Sequence, residues 1–394
     1  MPDQPGFIPS LRRELARLAA RPWDLAFITW LPLLGCALIW WIFSAGLPER
    51  LAIGVLDQDQ SAISRQIARW LDATPGLRVI ERYADEGQMD RALRNGRVHA
   101  AVQLPRGLAE RVKRGRAATV VLLHNAQLGT HSGLIQRDVR TVVGTVSAGI
   151  ELTARNKRGE PMAFARTSME PIRTTLVSLF NTAGNYEQFL TVALIPALLH
   201  IMAMAAGAWA VGCELRDRSL GGWLGPAPRP RRTLAALLGK LLPAWLGLSG
   251  VGGAGLAWLA LGRGWSPAGS LGWTLAALAV FIALSIALGA FFAALTRSLR
   301  MALSATGFIS APAFAFGGMG FPLAAMPAPA RAWALALPYT HYARVQAAQL
   351  QIGAPLADSL AAPLAMALAG ALLLGASAAL LARTARQPKR WGAR

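Results

Sequence analysis

The chain has 394 residues, of which 54% are hydrophobic and 15% charged, and its mean hydropathy is positive. This composition excludes a wholly soluble protein and indicates a polytopic membrane protein. The formal net charge of +20 does not indicate nucleic-acid binding, because most basic residues lie in short loops beside apolar runs and in one separate polar region. The two cysteines, Cys36 and Cys213, lie within or at the end of apolar runs, so no disulfide framework is predicted.

The first predicted element is a short helix over residues 10–20, within a cytoplasmic N-terminal segment of residues 1–24. Leu11, Leu15 and Leu18 share one face of this helix against arginines, so we expect it to lie in the membrane interface. The apolar run at 25–45 follows. A cleaved signal peptide is the alternative interpretation of that run, but its apolar core exceeds the usual length of about 7–15 residues. The sequence therefore predicts an uncleaved first transmembrane helix.

Residues 46–186 have a different character, in which short Val-, Ile- and Leu-rich runs alternate with helical patterns. The runs begin at Leu51, Leu77, Val98 and Ala118, and the last helix is predicted over about residues 134–155. This alternation predicts an α/β domain with a largely buried sheet, inserted between the first and second spans. The predicted topology makes the domain extracytoplasmic.

Two patterns in this domain raise the question of a metal site. Asp57 and Asp59 follow the first strand and could form a ligand pair, but a turn and helix cap ending at Ser61 is the favoured interpretation. The scattered histidines, His99 and His124 among them, lack a metal-ligand spacing. We therefore predict no metal site and no catalytic residues.

Six apolar runs have the length of a transmembrane helix, which takes about 20 residues. They lie at 25–45, 189–212, 234–261, 271–295, 301–322 and 361–381. Arginine and lysine are concentrated before the first run, after the second, after the fourth and in the tail at 384–394, so both termini are predicted to be cytoplasmic. Lys240, near the cytoplasmic start of the third run, is expected to extend outward to the interface.

A charged segment at 213–226 separates the second and third spans, and Pro226 and Pro228 would stop its helix. A short charged helix with a Trp/Leu face at a membrane surface is suited to contact with a soluble partner. The alternative is a loop whose arginines only set topology. The residues predicted to make the contact are Glu214, Arg216, Asp217, Ser219, Leu220, Trp223 and Leu224.

No GxxxxGK[ST] run or Ser/His/Asp pattern is visible, so we expect neither ATP binding of that kind nor enzyme activity from this chain. Ionisable groups that could drive proton-coupled transport are scarce in the apolar runs. Only Glu187 and His200 come near, one at an outer edge and one beside Pro196. We expect the energy for any transport to come from another subunit.

Three segments, taken in order, resemble permease subunits of type-2 ATP-binding-cassette (ABC) exporters, in the subgroup with a large extracytoplasmic domain after the first span. VLDQDQSAISRQIARWLDA resembles the opening of that domain, and ELRDRSLGGWLGPAPRPRRTLAALLGKLLPAW resembles the family's loop of the form E-R-x-x-G-T-L-E. GMGFPLAAMPAPARAWALALPYTHYARVQAAQL resembles its external Pro-rich hairpin, here at 322–345. Ser219, Leu220 and Gly221 depart from the usual order of the loop.

The resemblance implies an α-helical polytopic membrane protein with six transmembrane helices, five of them in the region 187–383. It implies that 213–226 is a coupling helix for a separate cytoplasmic ATPase subunit, which would bind ATP and Mg²⁺, whereas this chain would bind no cofactor. A second permease copy or a sister permease and membrane lipid are the other implied partners, and a periplasmic adaptor is left open.

The implied activity is export of an amphiphilic or hydrophobic substrate, such as a drug or lipid, across the cytoplasmic (inner) membrane. The candidate path residues are Asn181, Asn185, Tyr186, Phe308, Phe314, Phe316 and Phe321.

Two other functional classes are alternatives. A membrane-anchored sensor or assembly protein with a ligand-binding outer domain predicts a cytoplasmic signalling domain. A secondary transporter predicts intramembrane charges or inverted repeats. The sequence shows none of these features.

Overall fold

The computed structural model describes residues 6–127, 129–158, 181, 184–225, 228–388 and 391. The chain divides into two units, one formed by Met1–Gly46 with Ser178–Arg394 and the other by Leu47–Val177. Each unit has hydrophobic core clusters of its own. Parts of the predicted segments 46–186, 213–226 and 384–394, including Pro226, lie outside the described residues.

The unit at Leu47–Val177 contains a four-stranded sheet. Its strands are β1 (Leu51–Asp57), β2 (Leu77–Tyr83), β3 (Ala100–Leu104) and β4 (Val121–His124). The spatial order is β2-β1-β3-β4, with β4 antiparallel to β3 and the other pairs parallel. The central strands β1 and β3 are mostly buried, whereas β2 and β4 alternate between buried or half-buried and exposed positions because they lie at the edges.

Four helices accompany the sheet: α4 (Ala62–Ala73), α5 (Glu86–Arg94), α6 (Leu108–Lys113) and α7 (Gly129–Lys157). The favoured interpretation of the two aspartates is confirmed. Asp57 Oδ1 accepts the amides of Asp59 and Gln60 at 3.1 and 2.8 Å, and Ser61 Oγ caps α4 by accepting the Ser64 amide at 3.1 Å. α7 begins at Gly129, earlier than the predicted residue 134.

The other unit is almost entirely helical. Its helices are α1 (Phe7–Ala20), α2 (Pro22–Ile28), α3 (Trp30–Phe43), α8 (Val192–Arg216), α9 (Leu220–Leu224), α10 (Pro230–Ala257), α11 (Leu271–Thr296), α12 (Leu299–Ser310), α13 (Ala313–Phe316), α14 (Ala328–Ala336), α15 (Pro338–Gln346) and α16 (Ala361–Ala385). Short π-helical turns precede α8 and follow α10 and α15 (Glu187–Thr191, Trp258–Gly262 and Ala347–Ile352), and 3-10 turns lie at Leu323–Ala325 and Leu356–Ser359. Among the described residues, five helices are long and apolar enough to cross a membrane, or six if the bent pair α2–α3 is one span.

Two predicted spans differ from the observed helices. The first is bent by 42° between α2 and α3, because Pro32 has no amide hydrogen to donate to the Ile28 carbonyl and its ring opposes a continuous helix. The fifth ends at Phe316 rather than at residue 322. Gly318 follows with φ of +83°, a conformation that ends the helical path.

Helix α15 is buried, unlike α14, most of which is half-buried or exposed. Pro196 inside α8 has no amide hydrogen, so the carbonyl of Val192, four residues earlier, lacks its helical partner. Gln346 Nε2 of α15 donates to this carbonyl at 2.7 Å, and Tyr339 Oη donates to the neighbouring Ala193 carbonyl at 2.9 Å. α15 therefore replaces the backbone hydrogen bond that Pro196 removes from α8 and adds a second one at Ala193.

Helices α8 and α11 cross in close contact. A Cβ atom on Gly207 would lie 2.0 Å from the Ile286 carbonyl oxygen, and one on Gly289 would lie 1.9 Å from that of Met204. Nearby, the fully buried His200 shares a 2.8 Å hydrogen bond with Ser285 and stacks on Phe281, with ring centroids 5.4 Å apart. His200 thus takes part in helix packing.

Candidate coupling site

The short helix α9 is set off from α8 by a tight turn. Arg218 adopts a left-handed conformation with φ of +53°, and the Ser219 amide donates to the Glu214 carbonyl at 2.9 Å. This hydrogen-bonding pattern closes the end of α8 and directs the chain into α9. Gly225, with φ of +76°, follows the last residue of α9.

The apolar face of α9 packs against its own chain. Leu220 and Leu224 are fully buried, and Trp223 is 4% exposed. The Trp223 Nε1 group donates to Ser10 Oγ of α1 at 2.9 Å, and Lys240 Nζ lies 5.0 Å from the centre of the Trp223 ring. The apolar face of α9 therefore holds α9 against α1 and α10.

A buried ion network joins α1, α8 and α10 just beside α9 and extends to α2. Lys240 Nζ of α10 donates to Glu14 of α1 and to Glu214 of α8, each at 2.8 Å. Arg13 makes two further hydrogen bonds to Glu214, at 3.2 and 3.0 Å. Arg17 donates to Glu14 and, at 3.1 Å, to Asp24 of α2.

The network balances three cationic side chains against three carboxylates: Arg13, Arg17 and Lys240 against Glu14, Asp24 and Glu214. Burial of an unpaired charge is costly, and charge pairing with several hydrogen bonds offsets that cost. Close approach of the helices supports the arrangement, since a Cβ atom on Gly239 would lie 2.1 Å from the Phe7 carbonyl oxygen. A displacement of α9 would therefore disturb α1 and α10 directly.

One expectation from the sequence is wrong, and the structure adds the identity of the buried face of α1. Lys240 does not extend to the interface, because its side chain is only 1% exposed and ends between two carboxylates. The buried face of α1 consists of Ser10, Glu14 and Leu18, whereas Leu15 is 51% exposed. The polar residues take the buried side because Lys240 and Trp223 provide partners there.

Glu14 and Arg13 were not among the site residues predicted from the sequence. A usable signal was present, since Ser10, Glu14 and Leu18 recur every four residues and therefore share one helix face. A lysine inside an apolar run also implies a nearby carboxylate, because an unpaired charge is rarely tolerated there.

The residues predicted to make a coupling contact fall into two groups. The first group is buried within the chain and consists of Glu214, Leu220, Trp223 and Leu224. In this arrangement these side chains do not contact a partner directly. Ser219 is half-buried and donates to the Glu214 carboxylate. The exposed positions are Arg216, Asp217, Arg218 and Gly222, which we call the α9 ridge.

Two charged side chains of the α9 ridge, Arg216 and Asp217, form an ion pair with each other. Arg216 donates to Asp217 at 2.7 and 3.2 Å, and each side chain remains more than 40% exposed. The hydrogen bonds from Arg216 lower the pKa of Asp217, an effect that burial partly opposes. Asp217 is therefore ionised at neutral pH.

The candidate path residues are spread over several environments. The Asn181 side chain donates to the Asn185 carbonyl at 2.9 Å and accepts the Asn185 amide at 2.7 Å. Asn185 Oδ1 in turn accepts the Glu187 amide at 2.8 Å. Tyr186, between them in sequence, is half-buried. Asn181 also lines a cavity of about 380 Å³ with Gln188 and Gln351.

The aromatic members of the set lie on α12, α13 and the segment after α13. Phe308 is 75% exposed and Phe321 is 51% exposed. Phe314 and Phe316 are half-buried, and Phe314 lies 6.5 Å from the Tyr339 ring. Their role in a substrate path stays a prediction.

Residues 22–380 match the family described as ABC-2 family transporter protein. Comparisons with curated proteins and with solved structures return no match. The match covers most of the chain, including the apolar helices, Glu214 and Lys240 of the ion network, and the inserted α/β unit, whereas α1 precedes the matched range. The chain belongs to the ABC-2 family of transporter proteins and is an ABC-2 type permease.

Proposed function

We propose that this chain is the transmembrane subunit of an ABC exporter and that a separate cytoplasmic ATPase subunit docks on the α9 ridge. The observation that carries the proposal is the turn between α8 and α9, which exposes Arg216, Asp217 and Arg218 while Trp223 fixes α9 to α1 and α10. A docking element of this kind transmits force because it cannot move alone. ATP and Mg²⁺ would be bound by the partner.

In the proposed cycle, ATP binding closes two ATPase subunits and displaces α9. The ion network carries this displacement to α1 and α10, and the close α8–α11 crossing carries it into the span bundle. Ligand binding shifts such an equilibrium only through its different affinity for the two states. Two permease chains, either identical copies or a sister pair, would surround the path.

The proposed topology has both termini in the cytoplasm and the α/β unit outside the cytoplasmic membrane. The positive-inside distribution of arginine and lysine supports it. The proposed substrate is an amphiphilic or hydrophobic compound that is moved outward, since the candidate membrane-spanning helices are apolar over most of their length. A periplasmic adaptor is compatible with this topology.

The proposal is tested by co-purifying the tagged chain with ABC ATPases of its host and measuring ATP turnover in proteoliposomes. Reversing two of the three ridge charges, Arg216→Glu with Asp217→Arg, should abolish ATPase binding while leaving the elution profile of the chain unchanged. Arg331→Glu, an exposed charge on α14, is the matched control and should bind normally. ATPase binding that survives the ridge reversal at full strength would rule out docking on the α9 ridge.

A further inference from the structure

A groove of about 380 Å³ lies between α1, α2, α8, α10 and α12, and we call it the Trp23 groove. Its volume falls within the range of about 300–1,000 Å³ that is typical of small-molecule sites. Most of its wall is apolar, with Leu18, Phe27, Ala205 and Leu303 from four different helices. The remaining lining side chains are charged and come from α1 and α2.

The charged part of the wall consists of two carboxylates and one guanidinium group. Glu14 and Asp24 line the groove with Arg17, whereas Lys240, which also pairs with Glu14, is not among the lining residues. Asp24 Oδ2 accepts one hydrogen bond from Arg17 at 3.1 Å. Within the described part of the chain, Asp24 Oδ1 accepts none.

An exposed aromatic ring lines the same groove as this carboxylate. Trp23 lines the groove and is 76% exposed, so its indole face is open to a ligand. A carboxylate beside an exposed indole is the combination that attracts organic cations, through charge pairing and cation–π attraction. The apolar wall along α8 would hold the remainder of such a molecule.

We propose that the Trp23 groove binds an amphiphile with an organic-cation head, which lies against Asp24 and Trp23 while its apolar body packs along Ala205 and Leu303. As a substrate site this assignment rests on the proposed export function. Because the groove adjoins the bend that begins the first span, on the side with the arginine-rich N-terminal segment, the amphiphile would enter from the cytoplasmic leaflet.

The test uses the full chain in phosphatidylcholine nanodiscs without any ATPase, with rhodamine 6G as the cationic amphiphilic probe and empty nanodiscs as the blank. Fluorescence anisotropy should report saturable binding that dodecyltrimethylammonium displaces at about tenfold lower concentration than the equally long but neutral dodecyl maltoside. Equal displacement by the two would overturn the cation assignment. Binding no greater than in empty nanodiscs would overturn the site.

Variants locate the probe within the chain. Asp24→Asn should weaken rhodamine 6G binding about tenfold, whereas Asp358→Asn, an exposed carboxylate elsewhere, should leave it unchanged. Ala205→Phe should fill the groove and abolish binding. Ala369→Phe, at a half-buried alanine of α16 outside the groove, should not.

Wild-type affinity in both Asp24→Asn and Ala205→Phe would contradict the proposal. If Ala205→Phe does not fold, the affinity of Asp24→Asn for rhodamine 6G and the displacement by the two detergents decide whether the groove is the site. The binding test contains no ATPase, so its result does not depend on whether a partner binds the α9 ridge. Failure of the groove to bind the probe is therefore distinguishable from failure of the proposed docking.

Discussion

At the scale of single residues, Lys240 shows how a charge is accommodated inside an apolar bundle. Its ammonium group contacts two carboxylates at 2.8 Å each and lies over the Trp223 ring. Glu14 and Glu214 come from helices far apart in the sequence, so the lysine joins the N-terminal helix to the end of α8. Removal of one of these three side chains would leave the remaining charges buried, with neither a partner nor water to solvate them.

We predict that Lys240→Met destabilises the membrane unit by about 3–5 kcal/mol, because two carboxylates lose their shared buried partner. Thermal unfolding in detergent and the monodisperse fraction on size exclusion would measure the loss. Lys113→Met, at an exposed lysine of α6, is the matched control and should change stability by less than about 0.5 kcal/mol.

The triple variant Lys240→Met/Glu14→Gln/Glu214→Gln should recover much of the stability, since it removes the uncompensated charges together with the lysine. Equal unfolding temperatures for Lys240→Met and Lys113→Met would show that the ion network does not stabilise the membrane unit.

At the scale of elements, α8 and α15 are complementary. The proline that interrupts the hydrogen bonds of α8 lies opposite a glutamine that replaces one of them, Gln346 on the Val192 carbonyl. In lipid, an unpaired carbonyl costs several kcal/mol, so the two residues depend on each other. This relation explains why a segment of the predicted external hairpin is buried rather than half-exposed.

We predict that Gln346→Leu lowers the unfolding temperature strongly, because the Val192 carbonyl loses its donor. Pro196→Ala restores an amide hydrogen at the fourth residue after Val192, so the double variant Pro196→Ala/Gln346→Leu should be more stable than Gln346→Leu alone. Additive effects in this double-mutant cycle would contradict the proposed exchange of hydrogen bonds.

The α8–α11 crossing gives a second prediction at the element scale. Gly207→Ala should disrupt the bundle, because the added methyl group would meet the Ile286 carbonyl oxygen at 2.0 Å, a backbone atom that cannot move aside without shifting α11. Gly255→Ala on α10 is the control, since a Cβ atom there meets nothing within 4 Å. We expect Gly255→Ala to fold normally and Gly207→Ala to aggregate on extraction, and normal folding of both would refute the close-contact argument.

At the scale of the whole molecule, the transport topology can be tested directly. Both cysteines are buried, so Cys36→Ala/Cys213→Ala provides a background for single reporter cysteines. In intact cells, a membrane-impermeant maleimide should label Arg94→Cys and Arg331→Cys, whereas Ala19→Cys and Arg300→Cys should react only after permeabilisation. Labelling of Arg300→Cys and Arg331→Cys from the same side would exclude a fifth span between them.

The chain sequence by itself determined the class of this protein and most element positions. Membrane helices follow from continuous apolar runs, and the strands β1 to β4 lie at the predicted apolar runs of the Leu47–Val177 unit, because local periodicity and composition decide such elements. The turn at Asp57 was also predictable, since a side-chain cap involves only nearby residues. The bend after α2 could have been read from Pro32.

Tertiary structure alone decided the chemistry at α9. The sequence marked Glu214, Trp223 and Leu220 as a contact surface, and packing turned these side chains inward towards Ser10, Glu14 and Lys240. The same holds for Gln346 and Val192, which are 154 residues apart. Such pairings depend on which distant segments meet, and local periodicity carries no information about that, so only the packed structure shows which charged residues are buried partners and which remain exposed.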